Sequence, residues 1–318
     1  MDRGDPAAMT ARTPIALTIA GSDSGAGAGV QADLRTFAAL GVYGASVVTA
    51  LTAQNTRGVR AIHLAPPEMV AAQIGAVLED FSVAAIKIGM LGSAEIAGVV
   101  AGALPSPLAG EGLGVRGPRR QARSSGAGPL IRPRFARPPS PARGEGNGAC
   151  IVYDPVMSAS SGEALSGAGF LEAIRAKLLP LVDCLAPNLA EAAALLAEPL
   201  ARSEDEMERQ GRALLELGPR AVLMKGGHLQ GGEAVDLLVT ADAAVRRYAA
   251  PRIASKNLHG TGCTLSSAIA ASIVLGMALP EAVAAARALV REAIEAGRDL
   301  TLGSGPGPLL QTKLRAPA

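Results

Sequence analysis

The segment His259-Gly260-Thr261-Gly262-Cys263 runs straight into the small, apolar stretch Thr264–Ala270. Two glycines let backbone approach a ligand closely, and a helix start presents unpaired N–H groups at the positive end of its dipole. That combination is a seat for an anion, most often a phosphate, with the Cys263 thiol beside whatever occupies it. The same pattern also serves plain core packing, so the turn alone leaves both readings open.

A second glycine-rich segment, Gly21-Ser22-Asp23-Ser24-Gly25-Ala26-Gly27-Ala28-Gly29, ends at a helical pattern that carries Asp33 in its first turns. It lacks the G-x-G-x-x-G spacing of a dinucleotide fold and the lysine of a Walker A loop. It reads as a ligand loop of another kind. Asp33 is either a hydrogen-bond acceptor for a substrate or a solvated residue favoured by the helix dipole. Gln54 offers a donor and an acceptor suited to the edge of a heterocycle. Met90 can lie against a flat ring, although methionine there is also ordinary core. Asp154 and Glu191 are hard oxygen donors of the kind that hold Mg²⁺ through water near a nucleotide. Asn188 and Glu191 share one face of a helix start, and their spacing alone favours a capping box. Lys225, beside Gly226 and Gly227, can bring a point charge to phosphate oxygens.

Elements must bring these residues together. Strands are predicted at Ile15–Ala20, Ser46–Leu51, Ala84–Ile88, Ile151–Tyr153, Cys184–Ala186, Ala221–Met224 and Ala234–Val239. Helices are predicted at Val30–Leu40, Pro67–Glu79, Glu95–Leu104, Gly167–Leu179, Leu189–Leu196, Glu204–Leu217, Gly262–Leu275 and Pro280–Gly297. Short strands alternating with longer helices imply a mostly parallel sheet covered on both faces, with ligands beyond the carboxyl ends of its strands. Nearly all the segments above follow a predicted strand.

The rhythm breaks at Pro105–Gly148, where Pro, Gly and Arg fill 25 of 44 positions. Such a composition cannot build a packed core. Pro105–Gly112 is echoed by Pro139–Gly146 at six of eight positions, which marks the segment as a translated insertion, expected to be disordered. Its eight Arg against two Glu convert a chain total of +2 into a body of about −4, so a nucleic-acid footprint is not expected. The sequence is 49% apolar with no Trp, and supplies one large core. Three widely spaced cysteines argue against a zinc or disulfide framework and for a reducing, cytoplasmic setting. Residues 1–13 have no apolar stretch of a secretory signal, and no segment is fit to span a membrane.

Taken in order, these segments resemble the hydroxymethylpyrimidine/phosphomethylpyrimidine kinases of thiamine synthesis, within the ribokinase-like superfamily. The matching stretches are Thr18–Asp23, Gln31–Leu34, Ala53–Thr56, Lys87–Leu91, Asp154–Met157, Pro187–Ala192, Lys225–His228 and His259–Cys263. The likeness covers residues 14–311 apart from 105–148, with tails at 1–13 and 312–318. It implies a three-layer α/β/α fold with a central, mainly parallel sheet. It also implies an ATP- and Mg²⁺-dependent kinase acting on 4-amino-5-hydroxymethyl-2-methylpyrimidine and then on its monophosphate. By the resemblance, Gly21, Asp33, Gln54 and Met90 hold the pyrimidine, and Asp154 and Glu191 organise Mg²⁺. Asn188, Lys225 and Thr261 lie along the ATP phosphates, and Gly260, Thr261, Gly262 and Cys263 form the anion hole. Leu258 and Ser160 depart from the family's usual residues. The alternative is a pyridoxal/pyridoxine kinase, whose substrate also carries a hydroxymethyl on a flat ring. The expected partners are the pyrimidine, ATP and a second copy of the chain in a homodimer, with neither nucleic acid nor membrane.

Overall fold

The computed structural model describes residues 13–104, 148–157, 167–241 and 244–312, and all that follows concerns those residues. The expected insertion lies outside them except for Gly148, as do Ser160 and nearly all of both tails.

Short apolar runs, buried on both faces at the centre, make most of the strands, which are β1 (Ile15–Asp23), β2 (Tyr43–Asn55), β3 (Gly58–Leu64), β4 (Ala85–Ile88), β5 (Cys150–Tyr153), β6 (Cys184–Leu185), β7 (Ala221–Lys225), β8 (Glu233–Thr240) and β9 (Arg246–Pro251). They form one sheet in the order β3-β2-β1-β4-β5-β6-β7-β8-β9. The six strands from β2 to β7 in that order are parallel, and β3, β8 and β9 add on antiparallel at the edges. Helices cover both faces. On one lie α2 (Pro67–Asp80), α3 (Ala94–Ala103), α4 (Phe170–Ala173, prolonged by a π turn and a 3₁₀ turn to Leu181), α5 (Leu189–Leu196) and α6 (Glu204–Leu215). On the other lie α1 (Gly29–Ala39), α7 (Thr261–Val274) and α8 (Leu279–Gly297). This is the three-layer α/β/α architecture with a mainly parallel sheet.

Period-two alternation decides which side chain meets which layer. Leu17, Ile19, Ile86, Ile88, Ile151 and Tyr153 face α2–α6, while Ala16, Ala85 and Val152 face α1, α7 and α8. The second face is lined by small residues, and α7 answers with buried Ala268, Ala270 and Ala271, which bring its axis close to the central strands. Two polar residues share that face. Thr18 and Lys87 are paired across β1 and β4, and both are fully buried.

The structure extends the sequence expectations at the sheet edges. β3 and β9 were not expected, and β2 runs on to Asn55, so Gln54 belongs to a strand rather than to the loop after one. Both new strands are edge strands with mostly exposed side chains, so neither carries a burial pattern to read.

Candidate active site

At the carboxyl ends of the parallel strands the expected residues converge. Asp154 follows β5, Lys225 closes β7, and Asn188, after β6, bridges in parallel to Lys225. Lys225 Nζ lies 2.6 Å from Asp154 Oδ1 and 3.7 Å from Glu191 Oε2. Burial works against the Lys225 charge, but the two carboxylates outweigh it and hold the ammonium above the ordinary lysine range. Burial pushes Glu191 up to about 7, with Lys225 opposing and Asp154 adding to the rise. Two buried carboxylates thus share one ammonium.

The start of α7 faces this cluster. A Cβ on Gly262 would lie 3.2 Å from Asp154 Oδ2 and 3.5 Å from Lys225 Nζ. The first-turn N–H groups of Gly262 and Cys263 have no intrahelical acceptor and are available to an anion. Gly260 makes the turn possible. Its φ is +87°, and a Cβ there would come within 2.0 Å of Gly27 O, so only glycine fits. The Thr261 hydroxyl donates to Leu258 O at 2.6 Å, which anchors the turn, and Leu258 itself is exposed.

Beside the anion seat is an apolar niche. Met90 packs with Ala50 and Val156, and a Cβ on Gly21 would lie 3.0 Å from Met90 Sδ. Gly21 sits where the β1–β2 register slips, and Gln54 follows a second slip between β2 and β3. Such bulges re-aim side chains beside functional sites. The Gln54 amide reaches Thr52 Oγ1 and His259 Nε2, each at 3.2 Å.

Asp33 is fully buried. Its carboxylate accepts from Lys87 Nζ at 2.8 and 2.9 Å, Thr18 Oγ1 at 2.6 Å and Ser267 Oγ at 2.7 Å. Asn188 and Glu191 do form the capping box of α5. Asn188 Oδ1 accepts from Glu191 N at 2.9 Å, and Glu191 Oε2 accepts from Asn188 N at 2.7 Å. The cap fixes Glu191 where it also meets Lys225, so the structural pattern and the site use the same residue.

Cys263 lies in the first turn of α7. Burial pushes its thiol up to about 11, against the pull of Lys87 and of the Gly29 N–H, so the sulfur carries its proton at neutral pH. Sequence reasoning did not assign Lys87, Ser266, Ser267, Asp23 or His259. The two serines were the legible signal, since polar residues in an otherwise apolar buried helix need partners. Ser266 Oγ lies 3.3 Å from Asp154 Oδ2.

The chain has matches among known proteins. The sequence profile of the family described as phosphomethylpyrimidine kinase aligns with residues 23–110 and 144–310. The chain belongs to that family. A hydroxymethylpyrimidine/phosphomethylpyrimidine kinase of Rhizobium meliloti (strain 1021) is 46% identical over 297 residues, covering 93% of this chain and 96% of the relative. Among solved structures, a phosphomethylpyrimidine kinase from Clostridium difficile 630 is 38% identical with a TM-score of 0.67, covering 88% of this chain and 99% of the other. The pyridoxal kinase from Staphylococcus aureus, solved with AMP-PCP and pyridoxal, is 27% identical with a TM-score of 0.73, each chain covered to 93%. Identity thus sets the chain with the phosphomethylpyrimidine kinases, while the fold is shared with the pyridoxal kinases. The profile leaves out residues 111–143, which fall inside the Pro/Gly/Arg-rich segment.

Proposed function

We propose that the protein transfers the γ-phosphoryl group of ATP to the hydroxymethyl of 4-amino-5-hydroxymethyl-2-methylpyrimidine, and then a second one to the resulting monophosphate. The observation that carries this reading is the meeting of Lys225, Asp154 and the α7 N-terminus beside the Gly21–Met90 niche. Phosphoryl transfer asks for positioning and charge neutralisation more than for covalent chemistry, and these groups supply both.

In this reading the pyrimidine lies against Met90 and Gly21, with Gln54 at its edge. Lys225 and the N–H groups of Gly262 and Cys263 take up charge on the transferring phosphoryl group, and Thr261 and Asn188 border the ATP phosphates. The acceptor oxygen bonds to phosphorus as the bond to the ADP oxygen breaks, and the hydroxyl proton passes late to water. A protonated Cys263 suits that order of events, so its part is to position rather than to act as base. Two carboxylates beside a single ammonium leave one negative charge over, which fits a divalent cation. Asp154 and Glu191 would hold Mg²⁺ through water, and the ion would neutralise β- and γ-phosphate oxygens.

Residues 105–148 take no part in this chemistry in our reading, supported by the gap in the family match. A homodimer through β2 and β3 is supported by exposed Leu51, Ile62 and Leu64 along that edge. A reducing cytoplasmic setting is supported by three cysteines with no disulfide, and no described helix is long and apolar enough to cross a membrane. The deciding experiment measures ADP release with the pyrimidine alcohol, its monophosphate and pyridoxal. Turnover on both pyrimidines is expected. Turnover on pyridoxal alone would overturn the reading.

A further inference from the structure

The hydrogen bonds around His259 admit one placement of protons. His259 Nε2 lies 2.9 Å from Asp23 Oδ2 and 3.2 Å from the Gln54 amide nitrogen. Asp23 is buried and also accepts from Gly25 N at Oδ1 and from Gly27 N and Ala28 N at Oδ2. Burial opposes the charge of Asp23, but His259 and these N–H groups outweigh it and hold the carboxyl below its usual range. An ionised carboxylate offers only lone pairs, so His259 Nε2 carries a proton whether the ring is neutral or charged.

The Gln54 amide nitrogen carries protons as well. Set against His259 Nε2–H, it makes two donors face each other. Turning the amide by half a revolution removes the conflict, because oxygen and nitrogen have nearly the same shape. The amide oxygen then shares the Nε2–H, and the amide nitrogen donates to Thr52 Oγ1, 3.2 Å from the other amide atom. Thr52 has a lone pair for it, since its own proton goes to Ser22 O at 2.9 Å. The imidazole cannot swing away. A Cβ on Gly27 would come within 2.2 Å of His259 Cδ2, and the His259 backbone bridges to Pro308.

We propose that the Asp23–His259 pair locks the Gln54 amide in one orientation, making His259 a positioning residue that lets the site prefer a 4-aminopyrimidine to its 4-oxo counterpart. A 4-aminopyrimidine shows a donor beside a ring acceptor, whereas the 4-oxo ring shows an acceptor beside a donor. A locked amide pairs with one of these patterns. An amide free to turn pairs with either. The inference rests on the reading of Gln54 as the residue at the pyrimidine edge.

The test compares kcat/KM of the full-length protein, its His259→Leu variant and its His259→Gln variant on the 4-amino substrate and the 4-oxo analogue. Discarding a fixed polar partner should lower the 4-amino preference about tenfold or more in His259→Leu, mainly through KM. His259→Gln, which returns an N–H donor, should restore the preference, and KM for ATP should change by less than about twofold in both. A folded His259→Leu protein with the wild-type preference would overturn the proposal. ¹⁵N NMR of the unaltered protein gives a second reading that needs neither variant nor turnover. In that spectrum the Nε2 of His259 should carry a proton, and a bare Nε2 would overturn the lock. Absence of phosphorylation of either pyrimidine by the wild type would instead sink the proposed function and leave the NMR result to decide the lock.

Discussion

The environments of Gln54 and Cys263 predict different kinds of failure. Gln54 is half-buried at the end of β2, so removing its amide leaves a substrate edge unpaired, a loss of about 1–3 kcal/mol. Gln54→Ala should raise KM for the pyrimidine about tenfold or more and leave KM for ATP nearly unchanged. Steady-state kinetics with each substrate varied in turn checks this, and an equal rise in both would defeat the assignment. Because burial holds the Cys263 thiol near 11, its alkylation should be slow at neutral pH and climb with each pH unit up to that value. Peptide mapping after timed iodoacetamide treatment reads this directly, and a plateau near neutrality would contradict it. Cys263→Ser should keep measurable turnover. Both transfers should fall alike, since the thiol takes up no proton in either. At this scale the sequence offered Lys225, Asp154 and Glu191 on separate segments, and the structure brings both carboxylates within 3.7 Å of Lys225 Nζ. The partners of Asp33 were not legible, because they come from β1, β4 and α7, and no local spacing reveals that meeting.

Among the elements, the turn into α7 and the floor beneath it are the parts least tolerant of change. Gly260→Ala puts a methyl into Gly27 O at a backbone angle that only glycine adopts easily, so the variant should lose both stability and turnover. Gly262→Val crowds Asp154 and Lys225 without backbone strain, and should fold but lose phosphoryl transfer. Circular dichroism with activity separates the two outcomes. Lys87 and Asp33 form a fully buried ion pair. Lys87→Met alone strands the carboxylate and should cost about 3–5 kcal/mol, whereas Lys87→Met with Asp33→Asn should recover most of that loss. Urea denaturation of the single and double variants decides, and an undamaged single variant would remove the pair from any stabilising account. The central strands and all eight helices were legible because each carries a buried apolar run or stripe. β3 and β9 were not, since an edge strand with exposed side chains has no such stripe to display.

For the whole molecule the relevant quantity is charge held out of water. The folded state keeps the Glu191 proton more tightly than an unfolded chain would, so ionising Glu191 weakens folding. Its contribution is fully present below the unfolded value of about 4.5 and is lost as pH rises through about 7. Mg²⁺ should offset that loss, raising Tm more at about pH 8 than at about pH 5. Calorimetry with and without the ion checks this, and equal shifts at both values would count against the two carboxylates as its ligands. Replacing residues 105–148 by a short Gly-Ser linker between Leu104 and Ala149 should keep Tm at or above that of the full chain and leave kcat/KM within about twofold, because long loops between elements contribute little. Loss of kinase activity in a folded, shortened protein would show that the segment belongs to the active structure.

The ladder between β4 and β5, from Ala85 opposite Cys150 to Ile88 opposite Tyr153, is also a border between two trades. Everything proposed to hold the acceptor (Gly21, Gln54 and Met90) is encoded before residue 105, and everything proposed to handle phosphate (Asp154, Glu191, Lys225 and the α7 turn) is encoded after residue 148. Asp33 with Ser267 and Asp23 with His259 are the rivets across that border. A gene divided between the codons for residues 104 and 148 would therefore yield two polypeptides, each blind to the other's substrate, whose restored turnover would report on how often they find one another.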